Sequence, residues 1–326
     1  MLPSTTDDSL FDHLPPIDLL RYSRASKTTY EAVSSYMRRS FNLNKLMGRF
    51  FTENEMSCFR SWQSRTGMLI SGSTALQFFD RTFYPESDLD IYVEHRYCKA
   101  IAFWLIDIGY TYKPRPRYSD QDLAEALRIT TEYLNCGVAN VYDFHKSNPD
   151  RKIQLITSHH SPLEPILNFH STCVMNLISH EKAYSLYPQG TFRDRRSLIV
   201  YGEGSSRQTE EFARGKYAAR GWKLVEELTK DGIVHPTSEF STRSRYVGDS
   251  KCWTIPILPR LQLPEGYIET NSWYLLYDEA GCANMEFRNL IAPTLRYSYL
   301  VKDIPLQRYI LPALSSFKSE EKWIFR

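Results

Sequence analysis

No Cys-x-x-Cys pair occurs in the chain: its six cysteines, Cys58, Cys98, Cys136, Cys173, Cys252 and Cys282, are scattered. That spacing argues against a zinc knuckle and a dense disulfide framework, and the cysteines read as reduced core thiols. No apolar run is long enough to span a bilayer, and the N-terminus, which carries Asp7 and Asp8, has none of signal-peptide length. The expected compartment is therefore cytoplasmic or nuclear, with no membrane partner. Neither sign of charge is in excess: 40 basic residues against 38 acidic ones leave a net +2, so net charge does not indicate nucleic acid, and such a contact would need a local patch. Internal repeats and low-complexity tracts are missing as well. What is present is 326 residues with 42% hydrophobic content, enough for a core in one large domain with appendages or in two domains.

The stretch from Met68 to Phe79, followed by Ser87-Asp88-Leu89-Asp90-Ile91-Tyr92-Val93-Glu94, reads as strand, Gly-Ser turn, helix, loop and a second strand. Side chains alternate along a strand, so Asp88, Asp90, Tyr92 and Glu94 share one face and Leu89, Ile91 and Val93 the other. The apolar face is expected in the core and the acids in a cleft. Adjacent carboxylates repel, and a hard cation such as Mg²⁺ or Mn²⁺ between them removes that cost. Gly72 lets the backbone approach a ligand closely, and Ser73 with the free N–H groups of the helix start offers donors to an anion. The bland alternative is a β-edge with a solvated acidic rim.

Gly-Ser, a helical turn and Asp-x-Asp in this order resemble the nucleotidyltransferase superfamily, whose fold is shared by DNA polymerase beta-like enzymes, poly(A) polymerases and tRNA-nucleotide-adding enzymes. The resemblance implies an α+β fold, a nucleotidyltransferase-like mixed sheet flanked by helices. It also implies that Gly72 and Ser73 hold a nucleoside triphosphate while Asp88 and Asp90, the catalytic pair, hold the two metals. A third carboxylate normally comes from the neighbouring strand, where the matching position holds Gln154. Residues 138 to 145 and 151 to 157 read as a β-hairpin around Lys146-Ser147-Asn148-Pro149-Asp150, and counting back from the turn sets Asp143 opposite Gln154 as the substitute metal ligand. Two functions follow as expectations. One is weak nucleotidyl transfer from a nucleoside triphosphate to a hydroxyl acceptor; the other is a catalytically silent nucleotide- or protein-binding module.

Upstream, the run Leu14-Pro15-Pro16-Ile17-Asp18-Leu19-Leu20-Arg21 resembles the middle of an F-box, a likeness that covers about residues 10 to 45 and implies docking on the linker subunit of a ubiquitin ligase. The alternative is a helical cap packed on the next domain, and residues 1 to 9 are expected to be frayed. Together with Phe169-His170-Ser171-Thr172 and Tyr187-Pro188, the order of motifs is similar to a group of intracellular eukaryotic proteins that join an F-box-like start to a nucleotidyltransferase-like core. Downstream, Tyr97 to Ile108 reads as a helix closed by Gly109. Lys113-Pro114-Arg115-Pro116-Arg117 reads as a solvated basic loop. Glu164 to Leu186 reads as one helix with a stripe of Ile166, Phe169, Cys173 and Leu177. A zinc role for His159, His160 and His170 is disfavoured for want of a partnering acid or thiol, and His170 is expected as a hydrogen-bonded residue near the cleft. Ser205 opens a basic helix carrying Arg214, Lys216 and Arg220 and running through Trp222 to Gly232, after which alternating Trp253, Ile255 and Ile257 suggest a small C-terminal β element. The expected segments are 1–60, helical; 61–203, the core; and 204–326, a helical and β extension.

Overall fold

The computed structural model describes residues 4–115, 122–128, 137–147, 149–202 and 207–302. Cys136, the Pro116-Arg117 end of the basic loop and the cap expected at Ser205 lie outside them. The described residues form a mixed α+β protein with eleven α-helices and an eight-stranded mixed sheet. Seven of its strands are β1 (Leu69–Ser71), β2 (Leu89–Glu94), β3 (Thr111–Lys113), β4 (Val138–Lys146), β5 (Arg151–Ser158), β6 (Asn176–Ile178) and β7 (Lys182–Ser185). The eighth is Trp253–Pro256, and the order across the sheet is Trp253–Pro256, β7, β6, β1, β2, β5, β4, β3. Only β2 and β5 pair in parallel; every other neighbouring pair is antiparallel.

Alternation divides the two faces. Ile70, Leu89, Ile91, Val93, Phe144, Ile153, Leu155 and Ile178 point to a core covered by side chains of the helices Glu53–Thr66, Gly72–Asp80 and Cys98–Asp107. The helix Glu53–Thr66 opens on a capping box between Thr52 and Glu55, and Gly109, at φ 91°, follows Cys98–Asp107 as its spacing predicts. On the opposite face Leu69, Tyr92, Ile156, Leu177 and Tyr184 pack against a second layer that includes the strands Ser272–Tyr277 and Ala283–Glu286. Trp273, fully buried there, donates its indole N–H to the Tyr187 hydroxyl at 2.8 Å.

Several expectations are corrected. Residues Ser4–Asp12 form a helix rather than a frayed end. Glu164 to Leu186 is not one helix: it is a short helix Glu164–Leu167, a 3₁₀ turn Thr172–Val174, then β6 and β7. Its polar side chains bind backbone instead, since Leu198 N–H donates to Thr172 Oγ1 at 3.0 Å and Asn176 Nδ2 donates to the Cys173 carbonyl at 2.7 Å. The basic helix stops at Ala219; Gly221, at φ 98°, turns the chain, and Lys223–Val225 is a strand parallel to Arg196–Leu198. Trp253–Pro256 alternates as expected but joins the central sheet, against β7. Of the described cysteines, Cys98 and Cys173 are buried, Cys252 and Cys282 are half-buried and Cys58 is exposed, and no disulfide forms among the described residues.

Residue 60 falls inside Glu53–Thr66, and Phe41, Leu43, Met47, Phe50 and Phe51 belong to the same core as the sheet. The first three helices keep a small cluster of their own, Phe11, Leu19, Val33 and Tyr36. Arg81 ties that cluster to the end of the helix Gly72–Asp80, donating to the carbonyls of Phe11 at 3.0 Å and Leu14 at 3.1 Å and to the Tyr36 hydroxyl at 2.5 Å.

Under the second layer Arg245, 1% exposed, forms a two-pronged ion pair with Asp249 at 2.6 and 3.1 Å. Burial pushes the Asp249 pKa up, but the hydrogen bonds and charge of Arg245 outweigh it and hold the carboxyl below its ordinary 3.8. Asp249→Asn strands a buried guanidinium and should cost about 3–5 kcal/mol. The pair's stabilisation is present above the ordinary aspartate pKa and is lost as pH falls through the lower folded value. The difference in melting temperature between wild type and variant, full near neutral pH, should therefore close on acidification; a difference that stays constant would contradict this.

Candidate functional site

The site begins where β1 ends. Ser71 pairs with Asp90 across β1 and β2, and its hydroxyl donates to the Asn176 carbonyl on β6 at 2.5 Å, which fixes the end of β1 between its neighbours. The next residue, Gly72, adopts φ 63° and starts the helix Gly72–Asp80. A Cβ added to Gly72 would lie 2.2 Å from Asp90 Oδ2, so the carboxylate is seated directly on glycine backbone. Ser73, 6% exposed, is the second residue of that helix; the first turn carries no acid and no side-chain cap.

The loop back to β2 is held as firmly. Gln77 Nε2 donates to Ser87 Oγ at 2.8 Å, and its Oε1 accepts the Tyr84 N–H at 2.7 Å. Arg49 donates to the Tyr84 carbonyl at 2.9 Å and to Ser87 Oγ at 2.8 Å, while Thr74 Oγ1 donates to the Asp88 carbonyl at 3.1 Å. Asp88 and Asp90 thus leave the loop at positions set by the helix beneath them.

The strand register carries one row across five strands: Ser71 opposite Asp90, Asp90 opposite Gln154, Gln154 opposite Asp143 and Asp143 opposite Lys113. The register expected for the hairpin is therefore observed, Lys146 pairing with Arg151 and Asp143 with Gln154. The acidic face is a cleft only at this end, since Tyr92, two residues on, is 6% exposed and packed in the core.

Part of the Asp90 residue stays accessible, but its carboxyl is withdrawn against Gly72. Burial, and then the charge of Asp88, push its pKa up to about 7, against the opposing charges of Lys216 and Lys152. Asp88 accepts from Lys152 Nζ at 2.9 Å. Asp143 accepts from Arg115 Nε at 3.1 Å, from Arg115 Nη2 at 3.3 Å and from Gln154 Nε2 at 2.8 Å. Burial alone would raise the Asp143 pKa, but the bonds from Arg115 and Gln154 bring it below the ordinary value. The Arg115 expected in a solvated loop is thus an ion-pair partner, and Gln154 spends its amide on Asp143. Among the described residues no group of three or more His, Cys, Asp or Glu side chains is placed to hold a metal ion.

The basic helix Arg207–Ala219 closes the far side. Tyr217 is buried with Leu76, Cys173, Val174 and Trp222, and the ring of His170 lies 5.7 Å from that of Tyr217. Burial, then the charge of Arg214, lowers the His170 pKa to about 4, so the ring is neutral at physiological pH, and its Nδ1 is buried without a hydrogen-bond partner. His170 is near the cleft as expected. Arg220 caps the loop, stacked 3.8 Å over Tyr84 and paired with Glu86 at 3.2 Å.

Sequence reasoning brought Gly72, Ser73, Asp88, Asp90 and Asp143 together, and it missed Lys152, Arg115 and Lys216 as members of the same cluster. The parallel pairing of β2 with β5 sets Lys152 beside Asp88; the resemblance implies that the two strands are neighbours but draws no attention to Lys152. Comparison of the chain with protein-family models, with curated proteins and with solved structures finds no match. Among the described residues no helix is long and apolar enough to cross a membrane.

Gly72→Ala should lower stability by more than ~1 kcal/mol in denaturant unfolding, because it adds strain at positive φ to a clash with Asp90. Gly215→Ala, in the helix Arg207–Ala219, meets nothing within 4 Å and should be neutral or stabilising by ~0.5–1 kcal/mol. Equal effects of the two would contradict the close seat assigned to Asp90.

Proposed function

We propose that the protein is built on a nucleotidyltransferase-type core that binds a nucleoside triphosphate together with one divalent cation, Mg²⁺ or Mn²⁺, and that its nucleotidyl transfer to a hydroxyl acceptor is weak. The observation that carries this reading is the seat of Asp90 on the Gly72 backbone, beside Asp88 and at the uncapped start of a helix. The order of parts agrees with the resemblance: a strand, a Gly-Ser helix start, an antiparallel strand with Asp-x-Asp, and a parallel neighbour at the position of the third acid.

The donor set fits one ion. Asp88 and Asp90 offer two carboxylates whose mutual repulsion a cation would relieve; burial, and then the charge of Asp88, raise the Asp90 pKa. It does not fit a second, because Asp143 is neutralised by Arg115 and Gln154 brings no charge. A bound divalent ion would screen phosphate charge and polarise the phosphoryl group. The chain's own share is to orient the triphosphate: backbone N–H groups after Gly72 face the anion, and Lys216 adds positive charge from the facing helix.

A second reading, a silent scaffold that docks on a ubiquitin-ligase linker subunit, is favoured by the exposed Leu10, Leu20, Tyr22 and Tyr30 of the N-terminal helices. Retention of that subunit by the full chain in a pull-down, with no triphosphate binding, would select it.

Calorimetric titration of Mn²⁺ with a nucleoside triphosphate should show binding to wild type and none to Asp88→Asn/Asp90→Asn, which should melt no lower than wild type in chelator. Equal binding by the two proteins would overturn the first reading. Gln154→Asp should tighten Mn²⁺ binding and raise transfer of label from triphosphate, and a variant no better than wild type would count against the third position being the limiting one.

A further inference from the structure

Among the described residues, Lys152 on β5 forms ion pairs with two carboxylates, Asp88 just before β2 and Asp143 on β4. Its ammonium is 2.9 Å from Asp88 Oδ2 and 3.9 Å from Asp143 Oδ1, with side-chain exposures of 29% for Lys152, 33% for Asp88 and 15% for Asp143. Its place is dictated by register. Leu89 pairs with Ile153 in parallel, so the residues just before them, Asp88 and Lys152, emerge side by side, on the face that also carries Asp90 and Gln154. At position 154 the chain has an amide in place of charge, and two residues earlier on the same face it has a cation.

We propose that Lys152 is a built-in counter-cation of this site, which balances Asp88 and Asp143 internally and competes with a divalent ion for the Asp88 carboxylate. The inference rests on the reading of Asp88 and Asp90 as the cation seat. In its consequence the site is regulated by a side chain: with Lys152 engaged, Asp88 has one oxygen committed. A triphosphate-bound cation is favoured over the free ion, because the added phosphate charge gives the Lys152 ammonium an alternative partner when it leaves Asp88.

The test uses the full chain and Mn²⁺ alone, read by electron paramagnetic resonance, with wild type and Lys152→Met. Methionine keeps an unbranched apolar stem and removes the charge. The expected result is Mn²⁺ binding about tenfold tighter in the variant, the scale of one charge-assisted hydrogen bond no longer competing. In chelator, Lys152→Met should melt below wild type, Mn²⁺ should raise its melting temperature more than that of wild type, and adding Asp88→Asn should recover the loss in chelator. Equal Mn²⁺ affinity in wild type and Lys152→Met overturns the role of Lys152 and leaves the cation seat standing. Absence of Mn²⁺ binding in both overturns the role and the seat together. Should Lys152→Met fail to fold in chelator, the charge balance requires Lys152→Met/Asp88→Asn to fold; failure of both overturns the proposal.

Discussion

The contact between the Asp90 carboxylate and the backbone of Gly72 is the constraint on which the rest of the site depends. It exists because Ser71 and Asp90 are cross-strand partners, because Ser71 is anchored to β6, and because the chain turns into a helix at a residue without a side chain. Every neighbouring feature follows from keeping that seat. Helix Gly72–Asp80 buries Ala75, Phe78 and Phe79 against the apolar face of the sheet, so the turn cannot drift. The loop to β2 is clamped by Gln77 and Arg49, so Asp88 arrives at a fixed place beside Asp90.

Electrostatics then decide what the seat can hold. Asp88, Asp90 and Asp143 stand near one another in a partly buried place, and such a cluster is unstable unless its charge is offset. The chain offsets most of it itself: Arg115 and Gln154 attend to Asp143, Lys152 attends to Asp88, and Lys216 acts on Asp90 from across the cleft. What is left over is concentrated at Asp90, the carboxyl whose pKa is pushed up to about 7. A site with one unbalanced carboxylate beside a helix start suits one divalent ion and a polyanion better than a symmetric pair of ions. This is why weak transfer, rather than efficient two-ion chemistry, is the function we propose.

The parts legible in the sequence were those governed by short-range periodicity. The hairpin of β4 and β5 follows from turn chemistry between two β-rich runs, and its register from counting back from that turn, which is why Asp143 and Gln154 are expected opposite each other. The segment around Cys173 was misread because Ile166, Phe169, Cys173 and Leu177 have helical spacing, while β6 is three residues long and buried on both faces, so it shows no alternation. Trp222 was assigned to the helix it packs against, since a buried aromatic after Gly221 carries no local sign of direction. Arg115 reads in the sequence as part of a solvated basic loop, and Lys152 is not singled out. Their roles arise from strand pairing between segments about 60 and 30 residues apart, which periodicity does not encode.

The central claim is that the Gly72–Asp90 seat takes one divalent ion in company with a triphosphate. The most direct measurement is the stoichiometry of Mn²⁺ bound to the 326-residue chain at saturating nucleoside triphosphate, counted by electron paramagnetic resonance after correction for the free complex. The account predicts one Mn²⁺ per chain, lost on competition with excess Mg²⁺. Two ions per chain, or none, would contradict it.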